Sequence, residues 1–404
     1  MSTSDARALL MKSTKISELM REVNRHRPVV SLAHNATLAE ALHVLTENKI
    51  LSAPVVVLAD ALDVRLPDDD TNAEPMEMLI GFFDVRDAVT AILRSMNFSK
   101  DSSTSCLWWL REIELVERRI GDTPLMQCLG YDADLMYTPN ASVTSVHDLV
   151  TKGFFGQSRD DVVHRVVLFD ASGGLHRLIS QTDVVEWLAE HDGKLSHSLE
   201  TKSLRELGFG SDERRRQFVT VTANTPTIAC FQQMLKKNVS GATIVEEERV
   251  IADITFGDLR LLTPEYFSVL GLPVAEFIAL THNTSYAGFA LTSTNTPETF
   301  QKSAFFEKSR TFKSEQTEKM KSTRAIDPRR RDLFGAGDVA PTGVLTVSLE
   351  SLFQYAWFTN KLYKRRVYVV DQNDTVAFDV ITLTDVLECA TYGGAHKGPH
   401  RCRR

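Results

Sequence analysis

Val380-Ile381-Thr382-Leu383-Thr384-Asp385-Val386-Leu387 carries an apolar strand into a hydroxyl-rich corner, sets an aspartate three residues after the first threonine, and continues with helical spacing. Related stretches read Leu178-Ile179-Ser180-Gln181-Thr182-Asp183-Val184-Val185, Asp253-Ile254-Thr255-Phe256-Gly257-Asp258-Leu259 and Gly81-Phe82-Phe83-Asp84-Val85-Arg86-Asp87-Ala88. One such corner is weak evidence, because Thr and Asp commonly cap helices. Four of them, each behind a similar block, are an internal repeat.

Working outward, each corner closes a unit that reads strand, helix, strand, strand, helix. In the first, Lys15 to Met20 starts an amphipathic turn, Pro28 to Leu32 is a strand, and Thr37 with Glu40 forms a capping box for a helix through Leu38, Ala41, Leu42 and Leu45. Ile50 to Val57 reads as a buried strand broken at Ala53-Pro54, with Leu79 to Asp84 as its partner and a helix from Asp87 to about Met96. The acidic Pro67-Asp68-Asp69-Asp70 segment reads as a solvated surface loop. Trp108 and Trp109 open another amphipathic helix and read as packing residues.

The second unit starts at Tyr137 to Ser142, pairs Val162–Phe169 with Leu175–Ser180, and closes with a helix from Asp183 to His191. Lys202 to Gly210 opens the third. Its helix follows Thr225-Pro226, its strands are Ala242–Val245 and Val250–Ile254, and its closing helix begins at Asp258. Arg214-Arg215-Arg216 reads either as a solvated basic loop or, by its position, as charge near a bound phosphate. Residues 281–341 read as a disordered cationic insertion with a cluster at Arg329-Arg330-Arg331. The fourth unit takes a helix from Leu349 to Leu362, strands at Val367–Val370 and Thr375–Thr382, and a helix to Ala390. His396, His400 and Cys402 in the basic tail are weak metal-ligand candidates.

Composition narrows the chemistry. A chain of 404 residues with 43% hydrophobic content has room for two domains with cores. A net charge of −7 provides no footprint for nucleic acid, so any anion must be held locally. Cys106, Cys128, Cys230, Cys389 and Cys402 form no C-x-x-C pair, which favours a reducing compartment over a disulfide framework or zinc module. Met1 to Ala8 lacks the apolar core of a secretion signal, and no apolar run approaches the roughly 18 residues that span a bilayer. The expectation is a cytoplasmic protein, with the nucleus as a second location. No Gly-rich phosphate loop, H-E-x-x-H or G-x-S-x-G is present, which argues against an enzyme.

The repeated corner suits a ribose: a carboxylate accepts two hydrogen bonds from a cis diol, while a hydroxyl and helix N-terminal amides favour a phosphate oxygen. Helix capping alone explains any single copy equally well.

With these motifs in place, the chain resembles cystathionine-beta-synthase (CBS) domains, and its four copies resemble the gamma subunit of AMP-activated protein kinase. The matches are Pro139-Asn140-Ala141-Ser142, His164-Arg165, Lys202-Ser203-Leu204 with Glu206-Leu207, Asn224-Thr225-Pro226, Val239-Ser240, Arg366-Val367, Val369-Val370-Asp371, and Thr382, Thr384 and Asp385. The resemblance implies an α/β (α+β) fold of four CBS repeats forming two Bateman domains, stacked head to head in a flattened pseudo-symmetric disk. It places a flexible terminus at 1–14 and the first Bateman domain at 15–192 (repeats at about 15–97 and 120–192). The second lies at 200–390 (repeats at about 200–280 and 342–390) around the 281–341 insertion, with a tail at 391–404.

It further implies a non-catalytic subunit that senses AMP, ADP or ATP as regulatory ligands, has no cofactor or metal, contacts no nucleic acid or membrane, and partners alpha-type catalytic and beta-type scaffold kinase subunits. Carried over by position, Asp87, Asp183, Asp258 and Asp385 correspond to ribose carboxylates. His164, Arg165, Arg365 and Arg366 are phosphate-side basic residues, Ser180, Thr255, Thr382 and Thr384 are corner hydroxyls, and Val239 with Ser240 is a base-and-phosphate edge. Leu51 and Asp84 stand where the family has arginine and threonine, and Thr182 where it has lysine. The corner built from Thr382, Thr384, Asp385, Val239 and Ser240 is therefore expected to keep adenylate best, and the Leu51 corner least. The alternatives are a stand-alone scaffold or inhibitor of another enzyme, such as a phosphatase, with little nucleotide dependence, and a self-assembling protein whose corners are only caps.

Overall fold

The computed structural model describes residues 6–23, 29–58, 77–96, 106–129, 140–155, 161–170, 174–191, 201–246, 249–260, 262–282, 311, 346–353, 366–370, 376–394 and 401–402. The Pro67–Asp70 loop, Tyr137–Pro139, Arg365, the body of the 281–341 insertion, most of the Leu349–Leu362 helix, and His396 and His400 lie outside them.

The first unit comprises α1 (Ala6–Ser13), α2 (Ile16–Glu22), β1 (Leu32–Ala33), α3 (Leu38–Glu47), β2 (Ser52–Leu58), β3 (Glu77–Asp84) and α4 (Val85–Ser95). Thr37 caps α3 as the sequence requires, taking the Glu40 amide at 3.2 Å while the Glu40 carboxylate takes the Thr37 amide at 2.7 Å. Strand β2 lies between a parallel β1 and an antiparallel β3. Pro54 does not break it, contrary to expectation. Proline withholds only its own N–H, and the β1 pairing runs through Val55 and Val56, beyond the proline.

The second unit follows α5 (Cys106–Gly121) and α6 (Leu125–Cys128), and holds α7 (Val146–Asp148), β4 (Asp161–Val162), β5 (Arg165–Phe169), β6 (Leu175–Ser180) and α8 (Gln181–His191). A π-helical stretch, Leu149–Phe154, extends α7. The third holds α9 (Asp212–Gln217), β7 (Thr220–Thr222), α10 (Thr227–Lys237), β8 (Gly241–Glu246) and β9 (Arg249–Thr255). Its closing helix differs from the sequence reading: a 3-10 turn at Phe256–Leu259 is followed by a second at Pro264–Gly271 before α11 (Val274–His282). Gly257 weakens the first turn, and Pro264 turns Thr263 away from helical geometry. The fourth holds β10 (Thr346–Ser348), β11 (Arg366–Val370), β12 (Ala377–Thr382) and α12 (Leu383–Tyr392), the last ending on Gly393 at φ 83. In the tail, β13 (Arg401–Cys402) pairs parallel to β4. Units one, three and four share one sheet pattern, parallel then antiparallel.

Four equivalent isolated backbone bridges, Lys15↔Ser145, Thr37↔Pro124, Ser203↔Leu352 and Pro226↔Pro273, tie the segments that flank the units. Each is a reciprocal pair of amide bonds. Thus Ile16 donates to Thr144 and Val146 to Thr14, while Leu38 donates to Thr123 and Leu125 to Ala36. Leu204 with Ser351 and Phe353 with Lys202 repeat the arrangement between units three and four, and Thr227 with Leu272 and Val274 with Thr225 repeat it between α10 and the start of α11, the segment that leads out of unit three toward unit four. The segment preceding each unit therefore docks on its neighbour, so units one and two form one exchanged pair and units three and four another.

The cores run across these pairs. One joins unit one, α5, α6 and unit three, with Phe83, Ile113, Phe231 and Phe277 buried together; the other joins α1, α2, unit two, residues 204–209 and unit four around Met11, Phe154, Trp187, Phe353 and Leu387. Each such side chain contributes about 1.5–3 kcal/mol on burial, so both contacts are part of the fold. Trp109 packs in the first core, as its reading predicted.

Candidate functional site

The four corners are built alike. The amide of Ser180, Thr255 and Thr382 donates to the aspartate three residues on, Asp183, Asp258 and Asp385, at 2.7–2.8 Å. Their hydroxyls donate to the same carboxylate oxygen at 2.7, 3.0 and 2.6 Å. In unit one the Asp84 amide meets Asp87 at 2.9 Å, and the Asp84 carboxylate caps α4 through the Arg86 amide at 2.9 Å. Asp84 thus does the threonine's capping work but brings a second negative charge.

Strand register sets a cation or a small residue opposite each corner. Arg165 pairs with Ser180 and Arg366 with Thr382, whereas Ser52 pairs with Asp84 and Gly241 with Thr255. Each arginine reaches into the neighbouring unit: Arg165 donates to the Ser52 hydroxyl, and Arg366 to Ser240 Oγ at 2.6 Å. Arg366 Nη1 is buried and meets no hydrogen-bond acceptor among the described residues. Beside it Tyr368 donates to Asp253 across the same pair at 3.1 Å. Burial and the Asp253 charge push the phenol well above its ordinary value, against the opposing pull of Arg366.

Contacts across the pairs bring the corners together. Arg86 donates to Asn238 Oδ1 at 2.9 Å and lies 5.0 Å from the Phe256 ring centroid, joining units one and three; Asn238 holds φ 52 as the left-handed cap of α10. Leu51 packs against this core. Thr384 donates to the buried Gln181 at 2.8 Å, joining units two and four. The sequence reading of lost positive charge around Leu51 missed Arg86, which lies in the quoted corner itself. Ser52 was also missed, although it holds the register position of Gly241.

The placement of the other candidates is uneven. Asp87, Asp183 and Asp258 are partly exposed, Val239 is half-buried against the first core beside the half-buried Ser240, and His164 is exposed with its carbonyl accepting from the Gln181 amide at 3.1 Å. Thr384 and Asp385 are buried, at 4% and 3% exposure. The Asp385 carboxylate is engaged by a second partner besides Thr382. Arg214 Nη1 donates to Asp385 Oδ1 at 2.8 Å, its Nε to both Asp379 oxygens at 3.0 and 2.7 Å, and its Nη2 to the Val380 carbonyl at 2.7 Å. Burial alone pulls the Arg214 pKa down, and the Asp385 and Asp379 carboxylates more than reverse this, holding it above its ordinary value. The solvated-loop reading fails for Arg214, which lies inside; Arg215 stays exposed and stacks 4.1 Å over Phe378. Among the described residues no His, Cys, Asp and Glu group is arranged to hold a metal.

The CBS domain family model matches residues 16–94, from α2 to the last turn of α4. No curated protein matches the chain. Among solved structures the chain is similar to protein MJ1225 from Methanocaldococcus jannaschii, a proposed archaeal homolog of g-AMPK, with TM-score 0.50 and 13% identity over 91% of this chain and 98% of that one. Weaker likenesses are to the CBS domain protein PAE2072 from Pyrobaculum aerophilum, complexed with AMP (TM-score 0.26, 18% identity, 44% and 98% covered), and to an uncharacterized conserved protein from Pyrococcus horikoshii (TM-score 0.31, 11% identity, 90% and 96% covered). The MJ1225 likeness shows that the mixed α/β CBS-domain fold extends over nearly the whole chain. Among the described residues no helix is long and apolar enough to cross a membrane.

Proposed function

We propose that the chain is a non-catalytic regulatory module that binds adenine nucleotides and serves a protein kinase complex of the AMP-activated type, with alpha-type catalytic and beta-type scaffold subunits as partners in the cytoplasm and nucleus. The observation that carries this reading is the Arg366–Ser240 contact beside the Thr255–Asp258 corner. A cation with a buried, unmatched donor meets hydroxyls, helix amides and a partly exposed carboxylate where two exchanged units join. A phosphate oxygen satisfies such a donor through a charge-assisted bond, and a carboxylate at a helix start takes a ribose diol. Between units one and two Arg165 likewise reaches across to a serine hydroxyl, that of Ser52, beside the Asp84–Asp87 corner. The backbone exchange supports two Bateman domains, 15–192 and 200–390.

Nucleotide-dependent regulation requires that the ligand bind two conformations with different affinity. The cross-pair contacts Arg86–Asn238 and Thr384–Gln181 are where a change at one corner reaches another. Affinity purification of the tagged chain from native extract tests the partnership: kinase catalytic and beta-type subunits are expected to co-purify. Recovery of a different enzyme, such as a phosphatase, supports the second reading of a scaffold or inhibitor with little nucleotide dependence. The engaged Asp385 corner and the extra Asp84 charge favour that alternative.

A further inference from the structure

We infer that Arg214 is a resident cation that closes the fourth corner, so that Asp385 is a structural residue and nucleotide binds only at the other corners. The inference rests on the reading of these corners as ribose sites, and concerns which of them remain open.

Both oxygens of Asp385 are committed. Oδ2 takes the Thr382 amide and hydroxyl at 2.8 and 2.6 Å, and Oδ1 takes Arg214 at 2.8 Å. The guanidinium is equally committed, since Nε and Nη2 are held by Asp379 and the Val380 carbonyl and its face lies 4.8 Å from the Phe209 ring centroid. Arg214 and Asp385 are 5% and 3% exposed. A diol would have to displace a desolvated guanidinium donor from Asp385 Oδ1 and break up a buried charge cluster in which Asp379 holds the same arginine.

Asp379 is built into the same closure, accepting the Gly210 amide at 2.7 Å and the Val380 amide at 2.8 Å. The lock therefore fastens the opening segment of unit three onto unit four. It lies on top of the Ser203↔Leu352 exchange between the same two parts. Asp183 shows the contrast: its bonds to Ser180 match those of Asp385 to Thr382, yet it is partly exposed and faces no arginine at bonding distance among the described residues.

The test combines AMP and ATP titration calorimetry with urea unfolding on the full chain and its Asp385→Asn, Asp183→Asn, Arg214→Met and Arg214→Met/Asp385→Asn variants. Asp385→Asn is expected to unfold at lower urea but keep the wild-type nucleotide affinity and stoichiometry, while Asp183→Asn loses affinity roughly tenfold or more. The unfolding cycle is expected to be non-additive, as for residues that share one contact. Loss of nucleotide affinity in Asp385→Asn comparable to that in Asp183→Asn overturns the inference, and so does an additive cycle. Should Arg214→Met fail to fold, the Asp385→Asn titration decides alone. Should the wild type bind neither nucleotide, the ribose reading falls and the cycle alone decides whether Arg214 holds Asp385.

Discussion

Arg366 of the fourth unit donates to the Ser240 hydroxyl of the third at 2.6 Å, and the residue behind that hydroxyl is Gly241, where any side chain would collide with the same guanidinium. The glycine is thus the space that lets one unit's cation enter its neighbour's corner. Its φ is not positive, so the requirement is close approach and not backbone freedom.

Removing the cation or its space should therefore have related effects. Arg366→Ala is expected to weaken AMP and ATP binding about 10- to 100-fold, as for a lost charge-assisted bond. Gly241→Ala keeps every charge but displaces the guanidinium, and is expected to weaken binding in the same direction with a smaller change in melting temperature than a core truncation. Titration calorimetry of both variants checks this; unchanged affinity in Arg366→Ala removes the phosphate role.

A second prediction concerns the joint between units two and four. The buried Thr384–Gln181 bond is 2.8 Å, and Gln181 also donates to the Val163 carbonyl at 3.2 Å. Thr384→Val leaves the Gln181 oxygen without its donor, and should cost about 1–3 kcal/mol in urea unfolding. A change within error of wild type contradicts a structural role for this hydroxyl, which the sequence reading assigned to ligand.

Packing between α5 and unit three is tested at Gly271, where a Cβ would sit 2.7 Å from Leu110 backbone atoms of α5. Gly271→Ala is expected to destabilise the chain by about 1–3 kcal/mol through overpacking, read as a lower unfolding midpoint. No destabilisation would mean that α5 does not rest against this turn in solution.

The repeats, their strand pairs and the capping corners are legible locally, because hydrophobic period, a capping hydroxyl and an aspartate three residues later lie within a dozen positions of each other. Arg214 is not. Its partners Asp379 and Asp385 lie 165 and 171 positions away, so a run of three arginines reads as solvent-facing until the exchange between units folds one of them inward. The same holds for Arg86, whose acceptor Asn238 is 152 positions distant. The interruption of the helix after Asp258 is written locally, in Gly257 and Pro264, although the corner motif itself matches those that open continuous helices.

Alkaline pH supplies a fourth prediction. Burial pushes the Cys128 thiol from 9.0 up to about 11, with the Asp87 charge adding to it, and burial pushes Cys230 up to about 12. The unfolded chain releases these protons near the ordinary value while the folded chain retains them. Their stabilising contribution is therefore full below about pH 9 and is lost as pH rises toward 11 and 12. The urea midpoint is expected to fall between about pH 8 and about pH 10.5, and to fall less in a Cys128→Ala/Cys230→Ala variant. An equal fall in both proteins would assign the alkaline loss to other groups.

The most direct test of the central claim is calorimetric titration of AMP, ADP and ATP into the purified chain, with thermal unfolding at the same ligand concentrations. Adenine nucleotide binding predicts saturable heat and a melting temperature that rises with ligand concentration for at least one of the three, since a ligand of the native state stabilises it by mass action. No heat and no shift with any of the three would contradict it.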